Sequence, residues 1–146
     1  MKKQLPYITR TPGKSMSYMT EGSAGMDLCS LEHKTILPRT VELVNTGLKV
    51  AIPKGYAGLL LPRSSLGLKK GLMLMNSVGL IDSDYRGEIM CMFYNTRSEM
   101  VTITPEERVA QLVVIPTLTL DWVVVDDLDS TERGEGGFGS TGGYQS

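Results

Sequence analysis

The side chains that could do chemistry in this chain are acids, hydroxyls and arginines at turns, with one histidine among them. A serine or cysteine nucleophile normally needs a histidine base. The only candidate, His33, lies between Glu32 and Lys34 in a polar stretch that favours a solvated turn. The chain also lacks the glycine-rich loop, closed by Gly-Lys-Ser/Thr, of P-loop enzymes. The sequence therefore gives little support to covalent catalysis by a serine or cysteine nucleophile, or to a P-loop.

One candidate anion site is the segment Pro62-Arg63-Ser64-Ser65-Leu66-Gly67, which follows a predicted strand and opens the one predicted helical turn. Free backbone amides and the positive end of the helix dipole would lie beside Arg63 and two hydroxyls, those of Ser64 and Ser65. This arrangement favours phosphate binding. A serine that only caps the helix, next to a surface arginine, is the alternative.

A second candidate is the segment 76–88, which joins two apolar strands and is typical of an elaborated hairpin. Asn76 can both donate and accept hydrogen bonds, as the edge of a pyrimidine requires. Asp82 follows the apolar pair Leu80-Ile81, so we expect its carboxylate to be partly desolvated and able to orient and deprotonate water. A turn aspartate that caps its own backbone is the alternative.

Two further polar residues lie among apolar neighbours. Asp27 would be costly to bury without a cation, either an arginine or a hydrated metal ion, and we favour an arginine in a structural role. Gln111, in the strand that Arg108 begins, could reach an anion from the polar side of the strand. An ordinary polar residue at a sheet edge is the alternative for Gln111.

The stretch 133–143 has six glycines in eleven residues, yet carries Arg133, Phe138, Ser140 and Thr141. A cation and hydroxyls suit an anion, a ring can stack on a flat group, and glycine amides can approach phosphates closely. The composition therefore predicts a flexible lid. A disordered terminal tail is the alternative.

Composition excludes several classes of protein. Fifteen Lys and Arg balance sixteen Asp and Glu, so the chain offers no broad basic surface for nucleic acid. Cys29 and Cys91 lie far apart without metal-site spacing, and the amino terminus does not look like a signal peptide. No apolar run reaches the roughly 18 residues needed to cross a membrane. We expect a soluble, cytoplasmic protein that binds neither nucleic acid nor membrane.

The elements that must position these residues are mostly strands. Short apolar or alternating runs separated by turn residues predict an all-β, jelly-roll-like sandwich with one helical turn at 64–70. We expect one packed domain over residues 1–128 and a tail over 129–146. The run 89–93 is apolar on both faces, which predicts burial on both sides, by a second sheet or by another subunit. The predicted strands are 41–44, 48–52, 56–61, 72–75, 88–94, 101–103, 108–115 and 122–125.

The candidate residues lie in five segments, 23–28, 62–67, 76–88, 108–111 and 133–143. In this order and spacing, the five segments resemble the five motifs of the trimeric dUTP pyrophosphatases, the all-β dUTPases, over about residues 23–142. The resemblance implies a homotrimer whose active sites lie between subunits, with the carboxyl-terminal tail of one chain closing a site built by the others. It also implies hydrolysis of dUTP to dUMP and pyrophosphate with Mg²⁺ held mainly by the triphosphate, Asp27 at most touching the ion through water.

Residue roles follow from the same resemblance. Asp82 would activate the water that attacks the α-phosphorus, and Tyr85 would pack against the deoxyribose where a ribose hydroxyl would clash. Phe138 would stack on uracil. The uracil edge would be read by Asn76, Gly79, Leu80, Ile81 and Met90. The phosphates would be held by Arg63, Ser64, Ser65, Gln111, Arg133, Gly139, Ser140 and Thr141.

The chain departs from the family pattern at Ser65, where many members have glycine, and in a tail that continues to Ser146. Two rivals remain at this point. A dCTP deaminase shares the fold and the Arg-Ser-Ser motif, but has a catalytic glutamate where this chain has Met92. A non-catalytic dUTP sensor or interaction module on the same scaffold is the second rival.

Overall fold

The computed structural model describes residues 4–10 and 18–137, which form ten strands and one short helix. No helix in these ranges is long and apolar enough to span a membrane. The elements are β1 (Tyr7–Thr9), β2 (Met26–Cys29), β3 (Lys34–Ile36), β4 (Val41–Val50), β5 (Tyr56–Pro62), α1 (Ser64–Lys70), β6 (Leu72–Leu74), β7 (Gly79–Ile81), β8 (Ile89–Asn95), β9 (Val101–Ile103) and β10 (Arg108–Pro116).

The strands form two four-stranded antiparallel sheets and one small two-stranded sheet. The first has the order β1-β4-β8-β6, the second β2-β10-β5-β7, and β3 pairs with β9. Neighbours in sequence are seldom neighbours in a sheet, as expected of a jelly roll. The predicted all-β, jelly-roll-like fold is confirmed.

The core lies between the two large sheets because each contributes every second side chain to it. In β8, Ile89, Cys91 and Phe93 are buried, while Met90 and Met92 point to the other face. Leu60 and Leu112 contribute from the second sheet. The second sheet thus covers one face of β8, and burial of the other face by another subunit stays a prediction.

The turn chemistry of residues 45–47 predicts a break between the strands 41–44 and 48–52. This prediction is wrong, because β4 continues through these residues with a bulge. The hydroxyl of Thr46 donates to the Ile89 carbonyl at 2.5 Å and accepts from the Leu48 amide. Gly47 has a φ of +69°, which glycine adopts without a steric cost. Turn-forming residues here build a kink inside a strand, since a neighbouring strand supplies partners on both sides of it.

The helix is confirmed at Ser64–Lys70, but a serine cap is not. Arg63 is the residue that precedes the helix, and its side chain makes no capping hydrogen bond. Buried Leu66 anchors the helix, and Gly71, with a φ of +63°, ends it. Tertiary packing therefore holds this short helix in place.

The predicted strand at 122–125 is wrong, because the last strand of the described chain ends at Pro116. Trp122 is 96% exposed and Val124 98% exposed. The β-branched residues favour an extended backbone, but a strand also needs a paired edge. The sequence analysis missed four short strands of three or four residues each, β1, β2, β3 and β7.

Candidate active site

The connection 75–88 crosses from one sheet to the other and back, instead of forming a simple hairpin. The strands that flank it, β6 and β8, pair in the first sheet, whereas β7 in its middle pairs with β5 at the edge of the second. Leu59 lies opposite Leu80, and Leu60 lies opposite Gly79. The crossing creates a concave surface where the two sheets meet.

A cavity of about 200 Å³, here called the crossover pocket, occupies that surface. Six of the residues predicted to bind or activate the substrate lie along it. The structure adds four that sequence reasoning missed. The predicted residues are Asn76, Leu80, Ile81, Asp82, Tyr85 and Met90, and the added ones are Leu43, Glu88, Ile89 and Met92.

Glycine at position 79 is required by close packing beneath the pocket. A β-carbon there would lie 3.0 Å from the Leu60 β-carbon and 3.4 Å from Nδ2 of Asn76. The close packing places the Asn76 side chain beside the backbone of β7. An amide with two donors and an acceptor therefore borders the same pocket as the apolar Leu80 and Met90.

Asp82 begins a tight turn at the rim of the pocket. Its carbonyl accepts a hydrogen bond from the Tyr85 amide at 3.2 Å. The Arg86 guanidinium holds the same turn by donating to the Ser83 carbonyl at 2.8 Å and the Tyr85 carbonyl at 2.9 Å. We expected Asp82 to be partly desolvated, but it is exposed in the single chain, where it follows β7 at the edge of the second sheet.

The second group of predicted residues forms an arginine cluster, made of Asp27, Arg63, Arg108 and Gln111. Arg63 Nε lies 3.1 Å from Asp27 Oδ1, and Arg108 Nη1 lies 3.6 Å from Asp27 Oδ2. Arg63 also donates to the Arg108 carbonyl at 3.3 Å. The prediction that Asp27 has an arginine partner is confirmed, with Arg108 as a second partner that was missed.

Strand register explains how this cluster forms from distant parts of the sequence. Gln111 of β10 lies between Asp27 of β2 and Leu61 of β5. The side-chain amide of Gln111 donates to the Pro62 carbonyl at 3.1 Å. A β-carbon at Gly25 would lie 2.9 Å from Oε1 of Gln111. The side chain of Gln111 is thereby fixed next to the start of α1. Ser64 there is exposed and Ser65 is half-buried.

The remaining candidate residues lie outside both the crossover pocket and the arginine cluster. His33 is exposed before β3, and Cys91 is buried in the core, where desolvation raises the pKa of its thiol to about 12. Arg133 Nε donates to the Gly136 carbonyl at 2.8 Å in a local turn. Phe138, Gly139, Ser140 and Thr141 lie outside the described residues.

The arginine cluster does not line the crossover pocket within one chain. The pocket offers an acid, an amide and apolar surface, and the cluster offers cations. A β-sandwich with these two features is typical of an enzyme or binding protein for a small molecule with both a ring and an anionic group.

Comparison with known proteins agrees with that class. The dUTPase family model matches residues 11–142. The chain therefore belongs to the dUTPase family. It is 46% identical over 145 residues to the deoxyuridine 5'-triphosphate nucleotidohydrolase of Fusobacterium nucleatum, covering 97% of this chain and 99% of that one. The corresponding enzyme of Hahella chejuensis is 48% identical, covering 86% of this chain and 85% of that one.

Solved structures show the same likeness. The dUTPase of Staphylococcus bacteriophage 80alpha, determined with dUPNHPP, superposes with a TM-score of 0.88 at 27% identity, covering 97% of this chain and 99% of that one. The dUTPase of Streptococcus mutans superposes with a TM-score of 0.75 at 34% identity, covering 82% of this chain and all of that one.

Proposed function

We propose that this protein hydrolyses dUTP to dUMP and pyrophosphate. The observation that carries the proposal is the crossover pocket, which places the Asn76 amide, the Asp82 carboxylate and the Tyr85 ring around one cavity. Membership of the dUTPase family supports the same substrate. The names of the relatives describe hydrolysis of deoxyuridine 5'-triphosphate in those proteins.

In this proposal the pocket binds deoxyuridine. The Asn76 amide pairs with the donor and acceptor groups of the uracil edge, together with the backbone of Gly79, Leu80, Ile81 and Met90. Tyr85 packs against the deoxyribose and leaves no room for a 2′-hydroxyl.

Asp82 acts as general base. Its carboxylate accepts a proton from water while the water oxygen bonds to the α-phosphorus, and the bond from that phosphorus to the bridging oxygen breaks to release pyrophosphate. Such a displacement depends on positioning and charge neutralisation. The absence of a histidine partner therefore does not hinder this reaction.

The phosphates bind to the arginine cluster and to the start of α1, through Arg63, Ser64, Ser65 and Gln111. Asp27 keeps the two arginines in place rather than meeting the substrate directly. Arg133 and, beyond the described residues, Phe138, Gly139, Ser140 and Thr141 complete the proposed site as a lid.

We infer that the protein works as a homotrimer with sites between subunits. The arginine cluster and the crossover pocket are separate within one chain. The arginine cluster of one subunit can therefore complete the site formed by the crossover pocket of another subunit. The outer face of the first sheet also presents an apolar surface suited to a neighbouring subunit. The exposed members of this face are Val41, Leu43, Met73, Met75 and Met90.

Mg²⁺ is proposed to enter with the triphosphate and to neutralise phosphate charge. In residues 4–10 and 18–137, no three acidic, histidine or cysteine side chains converge on a possible metal position. Both Asp27 oxygens face arginines. Since Mg²⁺ commonly relies on substrate phosphates and water for most of its ligands, this donor set fits an ion carried by the substrate.

The direct test is pyrophosphate release from dUTP with Mg²⁺, beside dCTP, dTTP and UTP. We expect release from dUTP to be far faster than release from the other three nucleotides. Ammonia release from dCTP would indicate a deaminase, and tight dUTP binding without turnover would indicate a sensor.

A mixing experiment tests whether sites are shared between subunits. Asp82→Asn and Arg63→Ala chains are each expected to be inactive. When the two are unfolded together and refolded, mixed trimers should recover activity, because some sites then combine an intact Asp82 with an intact Arg63. No recovery from trimers shown to be mixed would contradict a shared site.

A further inference from the structure

Glu88 ends the 75–88 connection, and its carboxylate contacts the bulge of β4. Its Oε1 accepts a hydrogen bond from the Gly47 amide at 2.8 Å, and Oε2 forms an ion pair with Arg10. The Glu88 side chain is only 16% exposed, although the residue also borders the crossover pocket. A carboxylate that bonds a buried backbone amide fixes the local chain more firmly than a surface ion pair does.

The backbone next to this carboxylate determines where the Tyr85 ring lies. The Tyr85 hydroxyl donates to the Glu88 carbonyl at 2.9 Å. A β-carbon at Gly87 would lie 2.3 Å from the Tyr85 hydroxyl oxygen and 2.4 Å from Cζ. The ring therefore rests directly on Gly87, and its outer end is tied to Glu88.

The bulge is a firm support for this arrangement. The Gly47 carbonyl accepts from the Arg10 amide at 3.0 Å, and Thr46 donates to the Ile89 carbonyl at 2.5 Å. Gly47 and Thr46 are both buried. A shift of the Glu88 backbone would have to break contacts to two residues of β4.

We propose that Glu88 is a positioning residue for sugar selection. By bonding the Gly47 amide, its carboxylate holds the 87–88 backbone, and this backbone holds the Tyr85 ring against the sugar. The inference rests on the proposed dUTP hydrolysis, because sugar selection has meaning only for a nucleotide in the crossover pocket. It adds a determinant of sugar selection that acts through the Tyr85 ring.

The bond to Gly47 carries this role rather than the ion pair. Arg10 has a side chain that is 61% exposed, and exposed ion pairs contribute little to structure. The Arg10→Ala variant should therefore keep the sugar preference, whereas removal of the Glu88 carboxylate should weaken it.

The test is the ratio of kcat/KM for dUTP to kcat/KM for UTP. In Glu88→Ala the ratio should fall about ten-fold, the order expected when one positioning hydrogen bond is lost. Tyr85→Phe should lower the ratio by a similar factor, and the double variant should lower it no further, because both changes release the same ring. Glu88→Gln keeps an acceptor for the Gly47 amide and should restore most of the ratio.

Glu42→Ala is the matched control, since Glu42 is a carboxylate of the same sheet that pairs with Lys34 at 3.2 Å and does not border the pocket. It should leave the ratio unchanged. If Glu88→Ala does not fold, Glu88→Asp replaces it, because the shorter side chain cannot reach Gly47 without moving the backbone.

Two results would overturn the inference. One is an equal loss of kcat/KM for both nucleotides in Glu88→Ala, which a merely structural role predicts. The other is a double variant whose ratio falls by the product of the two single effects. A wild-type protein that releases no pyrophosphate from dUTP would overturn the proposed function as well, so the two failures are distinguishable.

Discussion

The crossover pocket and the arginine cluster are built in opposite ways. Most of the pocket comes from one stretch of chain, 76–92, folded between two sheets, and it is lined largely by apolar side chains and backbone. The cluster draws on two strands, β2 and β10, and on Arg63, the residue that precedes α1. Its charges are already paired with one another, since Asp27 faces both Arg63 and Arg108.

The difference separates two tasks. The cluster is pre-organised inside one chain, so its cations need little rearrangement when they meet an anion. The pocket has the proposed base, Asp82, exposed at its rim. Exclusion of water from Asp82 must then come from the substrate, the tail or another subunit.

The largest effect should follow from a change at the pocket rim. Asp82→Asn keeps the shape of the side chain but removes the base, so kcat should fall about 10²- to 10⁴-fold while KM changes little. Asp84→Asn is the matched control, because Asp84 is an exposed acid of the same turn that does not line the pocket. Steady-state pyrophosphate release measures kcat and KM for both variants. Equal losses in the two variants would contradict the assignment of the base.

A smaller effect should follow from crowding beneath the pocket. A β-carbon at Gly58 would lie 2.8 Å from Ile52 Cδ1, 3.0 Å from Leu112 Cδ1 and 3.2 Å from Ile81 Cβ. Gly58→Ala should therefore lower the free energy of unfolding by about 1–3 kcal/mol, the usual cost of overpacking. It should also raise KM, since Ile81 borders the pocket.

Urea denaturation and steady-state kinetics check this prediction. Gly55→Ala is a poor control because Gly55 has a φ of +84°, so Gly22→Ala, at a position with open space, serves instead. Unchanged stability in Gly58→Ala would show that Ile52 and Leu112 can move aside at no cost.

A substitution in the arginine cluster should affect stability and KM more than kcat. Asp27→Asn leaves two arginines without their carboxylate, and the free energy of unfolding should fall by about 1–2 kcal/mol, less than for a fully buried pair, because Arg108 is partly exposed. KM for dUTP should rise while kcat stays within a few-fold. Glu42→Gln removes the carboxylate of a more exposed ion pair and should change stability by less than about 0.5 kcal/mol. Similar losses in the two variants would show that the cluster is an ordinary surface pair.

The pocket residues could be predicted from the sequence because they are near one another along the chain. Asn76 and Asp82 lie within one connection, so turn chemistry and the flanking apolar strands were enough to group them, whereas Tyr85 was added by the family resemblance. Arg108 as a partner of Asp27 could not be predicted. Their contact depends on the register of β10 against β2, including an irregularity between Arg108 and Ala110, which no local pattern shows.

The errors in the predicted fold also arise from contacts between strands that are distant in sequence. Residues 45–47 have turn chemistry, but the neighbouring β8 keeps them in a strand through Thr46. Residues 122–125 have strand propensity but find no edge to pair with in the described chain. In both places the residues have the expected local backbone preference. The presence or absence of a partner strand decided whether a strand formed.

The smallest effect concerns the support beneath the arginine cluster, where Lys70 at the end of α1 meets Glu107 just before Arg108. Lys70 Nζ lies 2.6 Å from Glu107 Oε1. Partial burial acts to raise the pKa of Glu107, but hydrogen bonds from Lys70 and the Thr104 amide, with the Lys70 charge, outweigh it and lower the pKa. The folded state thus favours the ionised carboxylate.

Because this pKa is lowered on folding, the stabilising contribution is complete above the ordinary glutamate pKa of about 4.3 and is lost as pH falls through the folded value. The stability difference between wild type and Glu107→Gln should be at most about 1 kcal/mol near neutral pH, since the pair is partly open to solvent, and should shrink as the solution is acidified. Urea denaturation over a pH series measures it, with the exposed Glu99→Gln as control. A difference that grows on acidification would mean that the protonated, not the ionised, form of Glu107 holds α1 against the strand that carries Arg108 and Gln111.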